Sequence, residues 1–392
     1  MKTWINKCHF GDVRDVLRQM IAGGVKVNTI VTSPPYWGLR SYLPENHPDK
    51  VREIGSEPTL REFLDTMTEV MMLAREVLAD DGTMWMNMGD CYATGAGRVN
   101  TAPGGGTQVE RQSGIRGKDK LPGIGPMTQP NRMPQEGLKP KDLAGQPWRL
   151  AFALQDAGWW LRQDIVWQKP NPMPESVIDR CTKAHEYIFL LSKSSKYYFD
   201  QGAILEPVSA STHARLSQNV QEQVGSERAN GGAKTNGNMK AAGRSVAASA
   251  FPGAATRLGD ARRRQPADCK LADSASRIKN NASFNDAMAI MPTMRNKRSV
   301  WTVPTESYKG AHFATFPRAL IEPCILAGAP AGGVVLDIFM GSGTTAQVAE
   351  QLGRNWIGID IDVRNKCLQD ERLRQPSFHF NENPLVKQQE PV

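Results

Sequence analysis

Residues 334–345 read VVLDIFMGSGTT, and this stretch decides the fold of the chain. The apolar run at its start predicts a buried β-strand, and the residues from Thr344 to about Leu352 predict a helix. Gly341 and Gly343 occupy the turn between them, where glycine lets backbone amides approach a ligand closely. The N-terminus of the following helix favours negative charge. The stretch therefore predicts a strand–turn–helix unit that binds a ligand at its turn.

A second strand and a carboxylate follow this unit. Residues 356–359 predict a strand that ends at Asp360, about 19 residues after Gly341. Nucleotide-binding folds place a ribose-binding carboxylate at this point. A glycine turn alone is weak evidence, but the series of strand, turn, helix, strand and acid is typical of a nucleotide-type α/β fold.

The composition of the glycine turn discriminates between ligands. A phosphate-binding P-loop requires Gly-Lys-Ser/Thr, and residues 341–345 contain no lysine. A dinucleotide site requires a third glycine, which is also absent. S-adenosylmethionine carries no phosphate and suits a shorter loop with a ribose-binding acid. The sequence therefore favours S-adenosylmethionine as the cofactor.

Residues 31–37, VTSPPYW, form the second informative stretch. They follow a Val-, Ile- and Thr-rich run, residues 25–32, that predicts a strand. The two prolines end this strand, because each fixes φ and neither offers a backbone N–H. One interpretation is a stiff exit loop with its aromatic rings in the core. The other is a rigid lip where exposed carbonyls and an aromatic face meet a substrate.

Strand and helix patterns alternate on both sides of two irregular segments. We expect helices at about 59–79 and 147–157, and strands at 83–88, 163–167 and 187–191, with Asp81-Gly82 as the turn before the first of these strands. Residues 93–140 are rich in Gly and Pro and predict a long mobile loop. These patterns predict one α/β sheet domain, in halves 1–200 and 300–376, interrupted by a module at 201–299 and followed by a polar tail at 377–392.

The excess positive charge of the chain is concentrated in the interrupting module. Residues 201–300 hold 15 Lys/Arg and 7 Asp/Glu, so their excess equals the net charge of +8 of all 392 residues. Basic clustering of this kind is typical of polyanion binding, with Arg262, Arg263 and Arg264 as the densest cluster. A solvated, partly disordered linker is the alternative, and charge alone does not separate the two.

The bulk composition limits the class of protein. No run of 18 apolar residues exists to span a membrane, and the first residues hold no apolar segment of signal-peptide length. The six cysteines form no CxxC pair, so we expect neither a disulfide framework nor a metal site. The composition favours a cytoplasmic protein.

Together, these motifs resemble the amino-methyltransferases of DNA, which methylate the exocyclic amine of cytosine or adenine. Ser33-Pro34-Pro35-Tyr36 resembles the catalytic tetrapeptide of the family, and residues 337–345 resemble its cofactor loop. The catalytic motif precedes the cofactor motif, with a basic segment between them, which is similar to the circularly permuted β class. The resemblance implies a Rossmann-like methyltransferase fold with a mostly parallel seven-stranded sheet, and a target-recognition region at 201–299.

The resemblance also implies roles for individual residues. Gly11-Asp12 resembles the turn that holds the adenine of the cofactor, and residues 312–317 resemble the segment that lines its methionine end. The implied cofactor-binding set is Asp12, His312, Phe313, Thr315, Phe316, Asp337, Phe339, Gly341, Ser342, Gly343, Thr344 and Asp360. Arg262–Arg264 are the implied phosphate contacts to double-stranded DNA.

The catalytic chemistry follows from the tetrapeptide. An exocyclic amine is a poor nucleophile, and two acceptors aimed at its hydrogens, the Ser33 hydroxyl and the Pro34 carbonyl, favour a tetrahedral nitrogen. Pro35 keeps the loop stiff, and Tyr36 offers a face to a base that has left the stack. A serine at the first position favours N4 of cytosine, with N6 of adenine as the alternative target.

Other hypotheses stay open at this point. A DNA-binding protein without turnover is a second class, against which the intact Ser33, Tyr36 and glycines argue; an RNA methyltransferase is disfavoured by the basic module. A cognate restriction endonuclease and a monomer or weak dimer are further expectations. We expect Cys324 to be a buried structural thiol and His185-Glu186 to pack at a strand start. Trp159, Trp160 and Trp167 are expected in the core, and Trp37 is expected to help enclose the target base.

Overall fold

The computed structural model describes residues 3–39, 41–44, 46–93, 135–208, 294–306 and 316–374. The chain divides into two units, residues 1–203 together with 298–392, and residues 204–297. Within the described residues, no helix is long and apolar enough to cross a membrane.

A mixed sheet forms the centre of the first unit. Its strands are β1 (Lys7–Phe10), β2 (Val27–Thr32), β3 (Leu78–Met88), β4 (Trp160–Gln168), β5 (His185–Ser192), β8 (Val300–Thr302), β9 (Val334–Asp337) and β10 (Asn355–Asp360). Their order is β1-β10-β9-β2-β3-β5-β4-β8. All neighbours pair in parallel except that β5 runs antiparallel to β3 and to β4. The predicted α/β fold with a mostly parallel sheet is therefore confirmed.

The described sheet has one strand more than the expected seven. The edge strand β8 has three residues and pairs in parallel with β4. A segment this short lacks the alternation that predicts a strand from sequence.

Six helices flank the sheet within the described residues. They are α1 (Val13–Ala22), α2 (Leu60–Val77), α3 (Gln146–Asp156), α4 (Arg318–Gly328), α5 (Thr344–Gln351) and α6 (Lys366–Arg374). Short 3-10 turns lie at Lys50–Arg52, Gly202–Ile204 and Val363–Asn365. A capping box of Thr59 and Glu62 begins α2, and the buried side of this helix repeats at helical spacing through Phe63, Met67 and Val70.

The predicted turn at Asp81-Gly82 is wrong, because β3 begins at Leu78 and runs through both residues. The pairing of β3 with β2 shifts register between Val27 and Thr29. This shift accommodates the extra residues of β3 around Asp81-Gly82 without ending the strand. A Cβ at Gly82 would lie 2.6 Å from Leu78 Cγ, so the close approach of the chain to itself requires glycine here.

The second unit is described at its two ends. There, β6 (Glu206–Pro207) and β7 (Met294–Arg295) pair antiparallel. Arg295 Nε donates a hydrogen bond of 2.9 Å to Glu206 Oε1 across this pair. The pairing brings residues 207 and 294 side by side.

Candidate active site

A cavity of about 760 Å³ lies at the carboxyl edge of the first unit's parallel strands. Ligands of open α/β sheets bind outside this edge, because the loops that leave neighbouring strands converge there. The cavity brings together most of the residues that the sequence predicted for catalysis and cofactor binding. They are Asp12, Ser33, Pro34, Pro35, Tyr36, Phe316, Asp337, Phe339, Gly341, Ser342, Thr344 and Asp360.

Some predicted residues are not part of this lining. Gly343 is the residue before α5, with a φ of 86°, and it shapes the turn from outside the cavity. His312, Phe313 and Thr315 lie outside the described residues, as do Arg262, Arg263 and Arg264.

A buried hydrogen bond joins the two motifs. Because β2 and β9 are neighbours, Thr32 Oγ1 donates to Asp337 Oδ1 at 2.7 Å across 305 positions of sequence. Thr345 Oγ1 donates to the other oxygen at 2.6 Å, and the Phe339 amide donates to Oδ1 at 3.1 Å. Burial raises the pKa of Asp337, while these hydrogen bonds act in the opposite direction. Asp337 thus fixes the end of β2, which precedes residues 33–36, against the segment that contains the glycine turn.

The glycine turn leaves one polar atom without a partner. Gly341 has a φ of 53°, and its carbonyl accepts from Gln369 Nε2 at 2.8 Å. Ser342 is 2% exposed and lines the cavity, and its hydroxyl has no hydrogen-bond partner within the described chain. Because Ser342 lines the cavity, its hydroxyl is available to form a hydrogen bond with a ligand bound there.

The turn also depends on Gly358 in β10. A Cβ at this position would lie 1.8 Å from Met340 Sδ, so the Met340 side chain occupies the space that any larger residue would need. The Met340 amide donates to the Ile359 carbonyl at 2.9 Å, which holds the turn against β10.

Asp360 is a buried acid at the end of β10. Burial raises its pKa from 3.8 to about 7, and the neighbouring Asp362 and Asp337 charges contribute. Its oxygens accept from the Asp362 amide at 2.8 Å and from Asn365 Nδ2 at 3.0 Å. Both partners are neutral donors, so the carboxyl group can still accept from ligand hydroxyls.

Asp12 follows β1 at the same edge. Its Oδ1 accepts from the Arg14 amide at 2.8 Å and caps α1, and its Oδ2 contacts Arg14 at 2.5 Å and Arg52 at 3.1 Å. Burial alone raises the pKa of Asp12, but the hydrogen bonds and charges of the two arginines outweigh it and lower the pKa. Asp12 is therefore an ionised carboxylate at the edge of the cavity.

The predicted catalytic tetrapeptide, residues 33–36, leaves β2 directly into the cavity. Pro34 is buried, and within the described chain no donor bonds its carbonyl. The Tyr36 hydroxyl donates to Glu186 Oε2 at 2.9 Å. Burial, and then the Glu186 charge, raise the pKa of Tyr36 well above its usual value, so the phenol stays neutral. The tetrapeptide thus offers an acceptor carbonyl beside a fixed ring.

Glu186 is a cavity-lining residue that the sequence interpretation missed. The sequence predicts only packing at a strand start, but Glu186 lines the cavity with Asn87 and Lys169. Because β5 is antiparallel, its first residues lie at the edge where the parallel strands end. A single sequence does not give the direction of a strand. The sequence signal for a cavity residue here was the acid Glu186 directly before an apolar run.

The predictions for the tryptophans and Cys324 were confirmed in part. Trp159 and Trp167 are buried as predicted, although Trp167 also lines the cavity, whereas Trp160 is 48% exposed. The expectation that Trp37 encloses the base is wrong: its ring is fully buried, and Nε1 donates to the Glu57 carbonyl at 2.9 Å. Cys324 is buried as predicted. Within the described residues, no group of three or more His, Cys, Asp or Glu side chains fits a metal ion.

The parallel strands with a cavity at their carboxyl edge define an open α/β fold of the Rossmann-like type, and a family profile matches the sequence that forms it. The profile is that of the DNA methylases of the N6/N4 type, and it matches residues 27–366. The chain therefore belongs to the N6/N4 DNA methylase family and is a DNA methyltransferase. Membership makes S-adenosylmethionine its cofactor, as the sequence predicted.

Similar proteins include Type II methyltransferases of bacteria. M.Cfr9I of Citrobacter freundii is 37% identical over 365 residues, which are 93% of this chain and 86% of that protein. M.SmaI of Serratia marcescens is 34% identical over 93% of this chain and 89% of its own length. The similarity covers both predicted halves of the site.

Solved structures are similar at lower identity. The cytosine-N4-specific PvuII DNA methyltransferase is 15% identical with a TM-score of 0.48, covering 96% of this chain and 86% of that chain. TTHA0409 of Thermus thermophilus, solved in complex with S-adenosyl-L-methionine, is 18% identical with a TM-score of 0.46, covering 95% of each chain.

Proposed function

We propose that the chain transfers a methyl group from S-adenosylmethionine to the N4 amine of a cytosine that is flipped out of double-stranded DNA. The observation that carries the proposal is Ser33 at the first position of the tetrapeptide, lining the cavity beside the Pro34 carbonyl. A hydroxyl and a carbonyl supply two neutral acceptors for the two amine hydrogens. The M.Cfr9I and M.SmaI resemblance supports a site-specific Type II enzyme.

The residues of the cofactor end fit S-adenosylmethionine. The Ser342 hydroxyl, which has no hydrogen-bond partner among the described residues, and the Asp360 carboxyl offer hydrogen-bonding groups to the cofactor, and residues 341–345 contain no lysine. Such a set suits hydroxyls and an amino acid better than a polyphosphate. When bound, the cofactor supplies a methyl group on a sulfonium, and the protein contributes positioning.

At the base end, the protein holds and orients the target amine. Ser33 Oγ and the Pro34 carbonyl accept its two hydrogens and favour the geometry in which the nitrogen lone pair is available. Pro34 and Pro35 have no N–H to compete for these acceptors. The Tyr36 ring supplies a flat surface for the base once it leaves the stack.

Three broader assignments belong to the same proposal. Residues 201–299 are proposed to read the DNA sequence, with Arg262–Arg264 at phosphates, because the excess positive charge lies there. The Type II relatives support a partner endonuclease and a bacterial cytoplasmic location. We propose a monomer or weak dimer.

The experiment is to incubate the full chain with methyl-labelled cofactor and mixed-sequence duplex DNA, digest the DNA to nucleosides, and identify the labelled nucleoside by mass spectrometry. We expect N4-methylcytosine. Label in N6-methyladenine would overturn the choice of base, and absence of label from all DNA would overturn the enzyme itself. Sequencing of the modified DNA then gives the recognition site.

A further inference from the structure

A carboxylate outside the tetrapeptide holds the tyrosine of the tetrapeptide in place. Glu186 Oε2 accepts from the Tyr36 hydroxyl at 2.9 Å and from Asn87 Nδ2 at 3.2 Å. Asn87 also donates to the Tyr187 carbonyl at 3.1 Å, so this amide is itself fixed. The hydroxyl of Tyr36 is therefore bound to a carboxylate that cannot rotate freely.

The second oxygen of the same carboxylate binds a cation. Lys169 Nζ donates to Glu186 Oε1, and it lies 4.3 Å from the centre of the Trp167 ring. The side chains of Lys169 and Glu186 are 19% and 17% exposed, so water screens the pair little. Asn87, Trp167 and Lys169 all line the cavity with Tyr36. Donors from β3 and from the turn after β4 thus converge with Tyr36 on one carboxylate of β5.

Backbone packing closes the remaining side of this cluster. A Cβ at Gly89 would lie 2.8 Å from Tyr36 Cε2 and 3.2 Å from Glu186 Cδ. The edge of the ring and the carboxyl group therefore both rest against the backbone of residue 89. With its hydroxyl bound and its edge supported, the ring presents a fixed plane to the cavity.

We propose that Glu186 is a positioning residue for methyl transfer, which sets the plane of the Tyr36 ring against which the target base lies. The inference rests on the proposed stacking role of Tyr36. In this role Glu186 acts through its hydrogen bond with the Tyr36 hydroxyl. Lys169 and Asn87 fix Glu186 in the orientation that this role needs.

The test is a double-mutant cycle on kcat with Tyr36→Phe, Glu186→Ala and the double variant. Tyr36→Phe keeps the ring and removes the hydroxyl. We expect each single variant to lower kcat about tenfold, and the double variant to lose about tenfold rather than about a hundredfold, because both changes remove the same Tyr36–Glu186 hydrogen bond. The KM for the cofactor is expected to stay within about twofold.

Two further measurements separate positioning from folding. Glu186→Gln retains one side-chain oxygen that can accept from Tyr36 but no second acceptor for Lys169, and we expect it to restore part of the activity that Glu186→Ala loses. In DNA with 2-aminopurine at the target position, Glu186→Ala is expected to change the fluorescence of the flipped base, because base stacking quenches that probe. Glu350→Gln is the matched control, since Glu350 accepts from Trp356 Nε1 at 2.8 Å away from the cavity.

Multiplicative losses in the double variant would overturn the proposal, as would wild-type kcat in Glu186→Ala or a defect confined to cofactor affinity. The outcome is distinguishable from that of the proposed function. If the wild-type protein labels adenine, the choice of cytosine fails, but the coupling between residues 36 and 186 is still measured on that substrate.

Discussion

Two carboxylates of the cofactor end, unlike Asp12 with its two arginines, are held differently from the carboxylate of the base end. At the cofactor end, Asp337 and Asp360 contact hydroxyl, amide and backbone N–H donors, and within the described residues neither forms an ion pair. At the base end, Glu186 binds the Lys169 ammonium and the Tyr36 hydroxyl. A carboxyl group without a cation keeps acceptor capacity for a ligand, whereas a paired one is committed to the protein.

This difference predicts separate roles for the two ends of the cavity. Burial raises the pKa of Asp360 to about 7, so a ligand that donates hydrogen bonds there stabilises a charge that the empty fold disfavours. At the base end a ligand stabilises no such charge, because the Lys169 ammonium already neutralises the Glu186 carboxylate. We therefore expect changes at the cofactor end to alter affinity, and changes at the base end to alter turnover.

Ser33→Ala should give the largest effect. It removes one of the two acceptors for the target amine, and loss of one preorganised group of this kind costs about a hundredfold in kcat. Single-turnover methylation measures the loss, and calorimetry should show unchanged cofactor affinity. Ser56→Ala is the control, because the buried Ser56 hydroxyl has no partner among the described residues and does not line the cavity. A collapse of cofactor affinity in Ser33→Ala would break the division between the two ends.

Tyr36→Ala should come next. It removes the stacking surface for the base, which by the usual worth of base–aromatic stacking lowers turnover about thirtyfold. Cofactor binding should stay near that of the wild type, as measured by equilibrium titration. If the affinity for S-adenosylmethionine fell instead, Tyr36 would belong to the cofactor end and its assigned role would be wrong.

Cofactor affinity should depend on pH through Asp360. With a pKa of about 7, the acid is mostly ionised at pH 8 and mostly protonated at pH 6, so affinity should fall about tenfold between them. In the cofactor-free protein, the free energy of unfolding depends on pH with the opposite sign. The folded state keeps a proton that the unfolded chain has lost, so the free energy of unfolding falls as pH rises from about 4 to about 7.

Calorimetric titration and urea unfolding at several pH values check both trends. Asp360→Asn should flatten them, whereas Asp370→Asn, at an exposed acid that pairs with Lys366, should not. An unchanged pH profile in Asp360→Asn would remove Asp360 from the cofactor end.

Ser342→Ala should give the smallest effect. Its hydroxyl has no partner within the described chain, so removing it costs the cofactor-free fold little. If the cofactor supplies the partner, affinity should drop about threefold to tenfold, the usual net worth of one hydrogen bond. Calorimetry and thermal unfolding of the same variant measure the two quantities. A large loss of stability without any loss of affinity would contradict the role assigned to Ser342.

Much of the site could be predicted from sequence for one physical reason. Parallel strands end at a shared edge, so residues that follow them are brought together whatever their separation in the chain. Ser33 and Asp337 each follow, or end, a strand with a clear apolar pattern. Their proximity, through Thr32 and Asp337, follows from that rule and from the resemblance to the family.

What escaped prediction depends on pairing, which a single sequence does not contain. Glu186 reaches the cavity because β5 runs against its neighbours, and Lys169 reaches it from a proline-rich turn after β4. Trp37 looked available beside the tetrapeptide, yet its ring is buried and its amide bonds the Gln146 side chain at 2.9 Å. Trp160 looked apolar enough for the core, but it opens β4 with its ring half exposed.

The short ladder of β6 and β7 has a consequence for engineering. Glu206 and Arg295 stand opposite each other and bond through their side chains, so the chain leaves and returns at adjacent points. The entropy of closing a loop grows slowly with its length, so a segment inserted there can lengthen, shorten or be exchanged at modest cost. Grafting the equivalent segment of a relative between residues 207 and 294 is thus a direct test of the proposed role of residues 201–299 in reading the DNA sequence.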